Sequence, residues 1–175
     1  MQNSNIIEIV KSKEAKRKYL FMAEGKPVAD LIYPKRFKKI ATGSVGNNHW
    51  QISRKGFWKH FYNISSDQSP YTEWSISQNW KGSISVRTDD NKLYTLCRKG
   101  WLKVNWIWKN ENNEPVVEIH HCALPRKKYG TITYQSRPDN KMLWLGMVGW
   151  FVVLSAHQDA SAPGFMGAPV LFTGG

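Results

Sequence analysis

The segment Met142–Ala156 reads Met-Leu-Trp-Leu-Gly-Met-Val-Gly-Trp-Phe-Val-Val-Leu-Ser-Ala and has no polar face. A helix on a protein surface shows an apolar stripe backed by polar residues; one that is apolar all round must be enclosed by protein or by lipid. Fifteen residues at about 1.5 Å each span roughly 22 Å, short of the ~30 Å hydrocarbon core of a bilayer. Extension through His157-Gln158 reaches only the lower limit for a spanning helix, and does so by taking in two polar residues. The expectation is therefore a helix at about 140–156, buried inside the protein. A tail anchor built from 142–158 is the alternative, and Phe151-Val152-Val153-Leu154 leaves room for a central strand. Asp139 or Asn140, just after Arg137-Pro138, can cap the helix start. Gly146 and Gly149 would let surrounding side chains come close to the helix backbone.

What precedes this segment reads as many short strands. Tyr19–Met22 and Val28–Tyr33 flank Glu24-Gly25-Lys26-Pro27, which looks like a hairpin turn. Further candidates are 37–42, 49–53, 58–64, 73–77, 83–87, 93–98, 101–108, 116–121 and 129–134. Turn clusters at 65–70, 89–91, 99–100 and 110–115 separate them. Strand starts recur about every ten residues, the spacing of a sandwich or barrel. In Ile84-Ser85-Val86 and in Trp101–Trp108 the alternation places successive side chains on opposite faces of a sheet. One domain over 1–159 follows, with a Gly/Ala/Pro-rich tail at 160–175.

Charge separates the same two regions. The 175 residues hold 25 Lys+Arg against 13 Asp+Glu, a net charge of +12. From Asn140 onward only Lys141 and Asp159 are charged, and they cancel, so the whole surplus belongs to residues 1–139. A basic shell around an uncharged centre points to an anionic partner. Two cysteines, Cys97 and Cys122, cannot form a disulfide scaffold. At the N-terminus the short apolar run Ile6–Val10 contains Glu8 and precedes the basic run, the reverse of a secretory leader. A reducing, cytoplasmic setting with free thiols is expected, peripheral at a membrane if the anionic partner is lipid.

Basic clusters interleaved with aromatics carry the main functional signal. They are Lys16-Arg17-Lys18-Tyr19, Lys35-Arg36-Phe37-Lys38-Lys39, Arg54-Lys55-Gly56-Phe57-Trp58-Lys59, Arg98-Lys99-Gly100-Trp101 and Arg126-Lys127-Lys128-Tyr129. Each falls at an expected turn or strand end, where solvated side chains can converge on one rim. Lys and Arg supply charge-assisted bonds to phosphate, and exposed Trp or Tyr enters the headgroup region. The candidate anion- or lipid-binding residues are Lys35, Arg36, Lys38, Lys39, Arg54, Lys55, Lys59, Arg98, Lys99, Trp101, Arg126, Lys127 and Lys128. The plainer reading is that such lysines keep turns soluble and protect strand edges. Single-stranded nucleic acid is a second partner that stacking plus charge would suit.

Other chemistry finds less support. His120-His121-Cys122 is the one metal-like cluster: His120 and Cys122 would share a strand face, and Cys97 or His60 could add a ligand, but the spacing matches no standard zinc motif. No nucleophile elbow, HExxH, Walker A loop or dinucleotide fingerprint occurs, and Gly43-Ser44-Val45-Gly46 lacks the Gly-Lys-Ser/Thr of a phosphate loop. Asp89-Asp90 sits where a hairpin turn favours acidic residues. Cys97 would need a nearby His to act as a nucleophile. Trp74, Trp80, Trp101, Trp106 and Trp108 could stack on sugar rings, yet Trp106 and Trp108 share a strand face as core residues do. The chain thus reads as non-enzymatic, with no cofactor and no metal.

A run of short strands followed by one wholly apolar helix resembles the tubby C-terminal-like superfamily, which includes the tubby domains, the LURP-one-related proteins and the phospholipid scramblases. The local resemblances are Tyr94–Trp101, Trp106-Ile107-Trp108 and Leu143–Asp159. The resemblance implies a closed antiparallel β-barrel of about twelve strands around the hydrophobic C-terminal helix. Together with the basic clusters, the expectation is a binding or scaffold module whose basic, aromatic-lined rim meets anionic phosphates, on membrane phospholipid headgroups first. A protein partner for the same clusters is a further reading, its identity unknown.

Overall fold

The computed structural model describes residues 5–34, 40–55, 61–66, 75–78, 83–100, 105–122 and 128–160. Among the described residues there are twelve strands and one helix. The strands are β1 (Ile6–Lys11), β2 (Lys18–Ala23), β3 (Lys26–Ile32), β4 (Ile40–Val45), β5 (Asn48–Lys55) and β6 (Phe61–Ser66). They continue as β7 (Ser75–Gln78), β8 (Ile84–Arg87), β9 (Leu93–Lys99), β10 (Asn105–Lys109), β11 (Pro115–His121) and β12 (Gly130–Tyr134), followed by α1 (Asn140–Ala160). Each strand pairs antiparallel with its sequence neighbours, and β1 pairs with β12 to close the barrel. The closing registers are Ile7↔Ile132 on one side of β1 and Ile9↔Phe21 on the other.

Alternation sets which side chains face the lumen. Ile7, Ile9, Phe21, Leu31, Ala41, Ile52, Ile64, Ile84, Leu96, Trp108, Val117, Ile119 and Ile132 are buried, each separated from the next inward position by an outward one. They sit opposite one another across the registers Ala41↔Ile52↔Ile64 and Ile84↔Leu96↔Trp108↔Val117. The first hairpin turns at Glu24-Gly25, both at positive φ (49° and 77°), the two-residue turn whose twist suits a hairpin.

A barrel of eight strands fills itself with its own side chains. Twelve strands at about 4.8 Å spacing and a tilt of roughly 40° give a diameter of about 24 Å, too wide for that. The apolar helix answers the vacancy: every residue from Leu143 to Ser155 is buried, Gly146 and Gly149 included. The expected helix at about 140–156 is present and runs one turn further. Asp139 is the cap: its Oδ1 accepts the Met142 N–H at 2.7 Å, and its carbonyl accepts the Leu143 N–H at 2.9 Å. The anchor reading of 142–158 meets a helix already surrounded by strands. No helix among the described residues is long and apolar enough to cross a membrane.

Helix and wall fit together through glycines on both. A methyl group at Gly149 would lie 2.5 Å from the Trp108 indole nitrogen, and one at Gly146 would overlap the Tyr134 hydroxyl. On the wall, a methyl at Gly43 would meet Met147 Cε at 2.7 Å, and one at Gly130 would meet Trp150 Cζ3 at 2.7 Å. Trp144 stacks on Trp50 of β5 with centroids 4.3 Å apart. The large residues of each layer thus fall on the small residues of the other, as close packing requires. Trp106 and Trp108 both face this core, which removes them from any sugar-stacking surface.

Candidate anion-binding rim

An up-and-down barrel sorts its connections by parity. Because every neighbouring pair is antiparallel, odd strands end, and even strands begin, at one end of the barrel. The connections 12–17, 33–39, 56–60, 79–83, 100–104 and 122–129 therefore join strand ends at one pole. The connections 24–25, 46–47, 67–74, 88–92 and 110–114, with 135–139 leading into α1, do so at the other.

Charge follows that division. The first set holds 13 basic residues: Lys13, Lys16, Arg17, Lys35, Arg36, Lys38, Lys39, Lys59, Lys81, Lys103, Arg126, Lys127 and Lys128. Against them stands one acidic residue, Glu14. The second set holds eight acidic residues: Glu24, Asp67, Glu73, Asp89, Asp90, Glu111, Glu114 and Asp139. Only Lys92 and Arg137 oppose them. One pole is basic and the other acidic. The helix N-terminus lies at the acidic pole and its C-terminus at the basic one, so its dipole is favourably placed at both.

All five basic clusters noted in the sequence belong to strand ends or connections of the basic pole. Arg98, Lys99 and Lys128 are exposed there, joined by Lys11, Lys13, Lys16 and Arg17. Arg54 is different: at 6% exposure it faces inward beside Ile52. Lys35, Arg36, Lys38, Lys39, Lys59, Trp101, Arg126 and Lys127 lie outside the described residues, as does the side chain of Lys55. For them the structure gives the strand ends that their connections join. Lys13, Lys16, Arg17, Lys81 and Lys103 are absent from the candidate set drawn from sequence, although they share its pole. The overlooked signal was parity, since every second turn along the chain is basic.

At the basic pole an aromatic plug closes the lumen. Tyr19 makes edge contacts with Tyr33, Tyr129 and Trp150 at centroid distances of 6.1, 5.6 and 6.2 Å, and Tyr33 stacks on Phe151 at 5.8 Å. Burial, then the neighbouring Tyr19, pushes the Tyr33 phenol well above its ordinary pKa. His121 stacks on His157 of α1 at 4.2 Å and lies 5.4 Å from the Trp150 ring. Burial, then His157 and His120, lowers its pKa to about 4, so the imidazole is neutral at pH 7. Around the plug, Lys18 pairs with Asp30 at 2.9 Å, Lys128 pairs with Glu8, and Lys11 lies 6.0 Å above the Tyr129 ring.

The acidic pole holds the helix start in place. Lys141 reaches Asp89 at 3.3 Å and Asp90 at 3.0 Å. The Thr88 hydroxyl, and then Lys141, holds the Asp90 carboxyl well below the usual carboxylate range. Asp89-Asp90 thus fastens α1 to the β8–β9 hairpin, a structural task.

Of the residues in the zinc reading, His60 lies outside the described residues, and the others are not brought together. His120 faces outward and shares a 2.9 Å Nδ1 contact with Asn105 Oδ1, while Asn105 donates to Glu118 at 3.0 Å. His121 faces inward. Among the described residues no group of three or more His, Cys, Asp or Glu is placed to hold a metal ion. Cys97 and Cys122 are free thiols. Compared with known proteins, the chain matches no family model, no curated protein and no solved structure.

Proposed function

We propose that the protein is a non-enzymatic module that binds anionic phosphate groups through its basic pole, with membrane phospholipid headgroups as the natural surface. The observation that carries this reading is the sorting of charge by strand parity. Solubility alone would be served by lysines at both ends, and edge protection is needless in a closed barrel, which has no free edge. A pole with 13 basic residues and one acidic residue in its connections supports a specific anionic contact. The likeness to the tubby-like superfamily is part of the same proposal, supported by the closed twelve-stranded wall and its enclosed helix. Recruitment is electrostatic, with no bond made or broken.

The test is co-sedimentation with vesicles of neutral phosphatidylcholine and with vesicles containing anionic lipid. Binding confined to the anionic vesicles, and falling steeply as salt shortens the Debye length from about 10 Å at 0.1 M, is expected. Equal binding to both vesicles refutes the proposal. Single-stranded nucleic acid is the competing partner. Tighter retention on single-stranded RNA or DNA than on anionic vesicles would transfer the basic pole to that function.

A further inference from the structure

Among the described residues of the basic pole, the exposed cations Arg98, Lys99, Lys128, Lys11, Lys13, Lys16 and Arg17 lie on an arc along the β9–β2 side of the wall. Four of these seven belong to residues 11–17, where β1 turns into β2, and one serine stands among them. We propose that Ser12 is a phosphorylation site, and that a phosphate there releases the pole from an anionic surface. This rests on the reading just proposed and goes further, because binding through a basic pole does not require that the binding be regulated.

The turn gathers donors around the serine oxygen. The Ser12 N–H donates to the Lys18 carbonyl at 2.8 Å, and the Lys18 N–H to the Ala15 carbonyl at 3.1 Å, which closes the connection. Inside it, Ser12 Oγ accepts the N–H of Glu14 at 3.2 Å and that of Ala15 at 3.3 Å. The atom that would carry the phosphate thus already faces two backbone donors, and phosphate oxygens accept from such donors more strongly than a hydroxyl does. Lys11 and Lys13 flank the serine, Lys16 and Arg17 follow, and all four are exposed. Glu14 is the one acidic residue among them, so residues 11–17 carry four positive charges against one negative, a net +3. Exposed cations on both sides of a serine suit a protein kinase that reads basic sequence with carboxylates at its own cleft. In the reaction Ser12 Oγ attacks the γ-phosphorus of ATP. The new O–P ester bond forms, the β–γ anhydride bond breaks, ADP leaves with the electron pair, and the hydroxyl proton passes to the kinase's base.

The phosphate brings about −1.5 to −2 charges at pH 7 and holds the neighbouring Lys and Arg in bonds that would otherwise reach headgroups. With each surface charge worth about fivefold in vesicle affinity, the expected loss is about 10- to 25-fold. The experiment has two arms, both on the full chain. In the first, wild type and Ser12→Ala are incubated with ATP and the catalytic domain of a kinase that requires basic residues on both sides of its serine, and the phosphate is mapped by mass spectrometry. Phosphate on Ser12 of the wild type is expected. Its absence there, while a basic control peptide is fully phosphorylated, would overturn the site. In the second, a chain with phosphoserine encoded at position 12 is compared with wild type, Ser12→Ala and Ser12→Gln on phosphatidylserine vesicles at about 0.1 M salt. It should bind about 10- to 25-fold more weakly, phosphatase should restore it, and the two neutral variants should stay within about twofold of wild type. A phosphoserine chain within about threefold of wild type, or an equal loss in Ser12→Gln, would overturn the switch. Failure of the wild type to bind the anionic vesicles would instead overturn the underlying proposal. Circular dichroism and the thermal midpoint of each chain separate a loss of binding from unfolding.

Discussion

Replacing Gly149 by Ala turns the enclosure of the helix into the sign of one free-energy difference. On an accessible helix the change stabilises, because Ala is better than Gly in a helix interior by about 0.5–1 kcal/mol. In the barrel the new methyl would stand 2.5 Å from the Trp108 indole nitrogen and press on Ile119 Cδ1. Trp108 and Ile119 are both fully buried, so neither can swing into solvent. Overpacking of this kind costs about 1–3 kcal/mol. Less the helix gain, the net loss is up to about 2.5 kcal/mol, centred on about 1 kcal/mol, or a thermal midpoint lower by about 2–4 °C for each kcal/mol in a chain of this size. Urea unfolding followed by tryptophan fluorescence measures it, with an unchanged m-value showing that only stability has moved. Ile119→Val supplies the internal check: it removes the crowding Cδ1, so the double variant should lose less than the two single losses together. A Gly149→Ala protein stabilised by about 0.5–1 kcal/mol would refute the enclosed helix.

Three further outcomes follow from the packing. Tyr134→Phe removes a buried hydroxyl that has no hydrogen-bond partner among the described residues, so stability should stay level or rise by up to about 1 kcal/mol; a loss greater than that in urea unfolding would show the hydroxyl to be bonded. Asp139→Ala removes the helix cap and should cost about 1 kcal/mol in the same assay. His121 is held neutral by a native pKa of about 4 against 6.5 when unfolded, so the unfolded chain binds the extra proton first. Its contribution is complete above about pH 6.5 and is lost as the pH falls from there to about 4. With its partial exposure discounted, the loss is on the order of 1–2 kcal/mol. His121→Phe, which keeps a ring against His157, should flatten that slope in urea midpoints measured between pH 7 and 4.

The helix was the most legible part of the chain, because fifteen residues without a polar face admit few environments. The two helix glycines stood out for the same reason, and both turned out to receive wall side chains. The wall is less evenly legible. By local pattern β1 is only a short apolar run. Its first residue, Ile6, is 48% exposed, and only Ile7-Glu8-Ile9 shows the alternation. Yet this strand closes the barrel, a fact of long-range pairing that no local pattern carries. The basic clusters were visible as composition. That they share a pole depends on counting strands, which converts a list of turns into two ends. Arg54 shows the converse limit: it stands in a basic run, but its place two residues after Ile52 turns it into the lumen.

The central claim is that position at the pole, and not net charge, directs this protein to an anionic surface. Two triple variants with the same loss of three positive charges test it most directly. K13Q/K16Q/K99Q strips exposed residues at the basic pole, and K26Q/K92Q/R137Q strips exposed residues at the acidic pole. With phosphatidylserine vesicles at 0.1 M salt, the first should lose about 100-fold in affinity and the second less than about threefold. Equal losses from the two would contradict the account and leave only a generally basic protein.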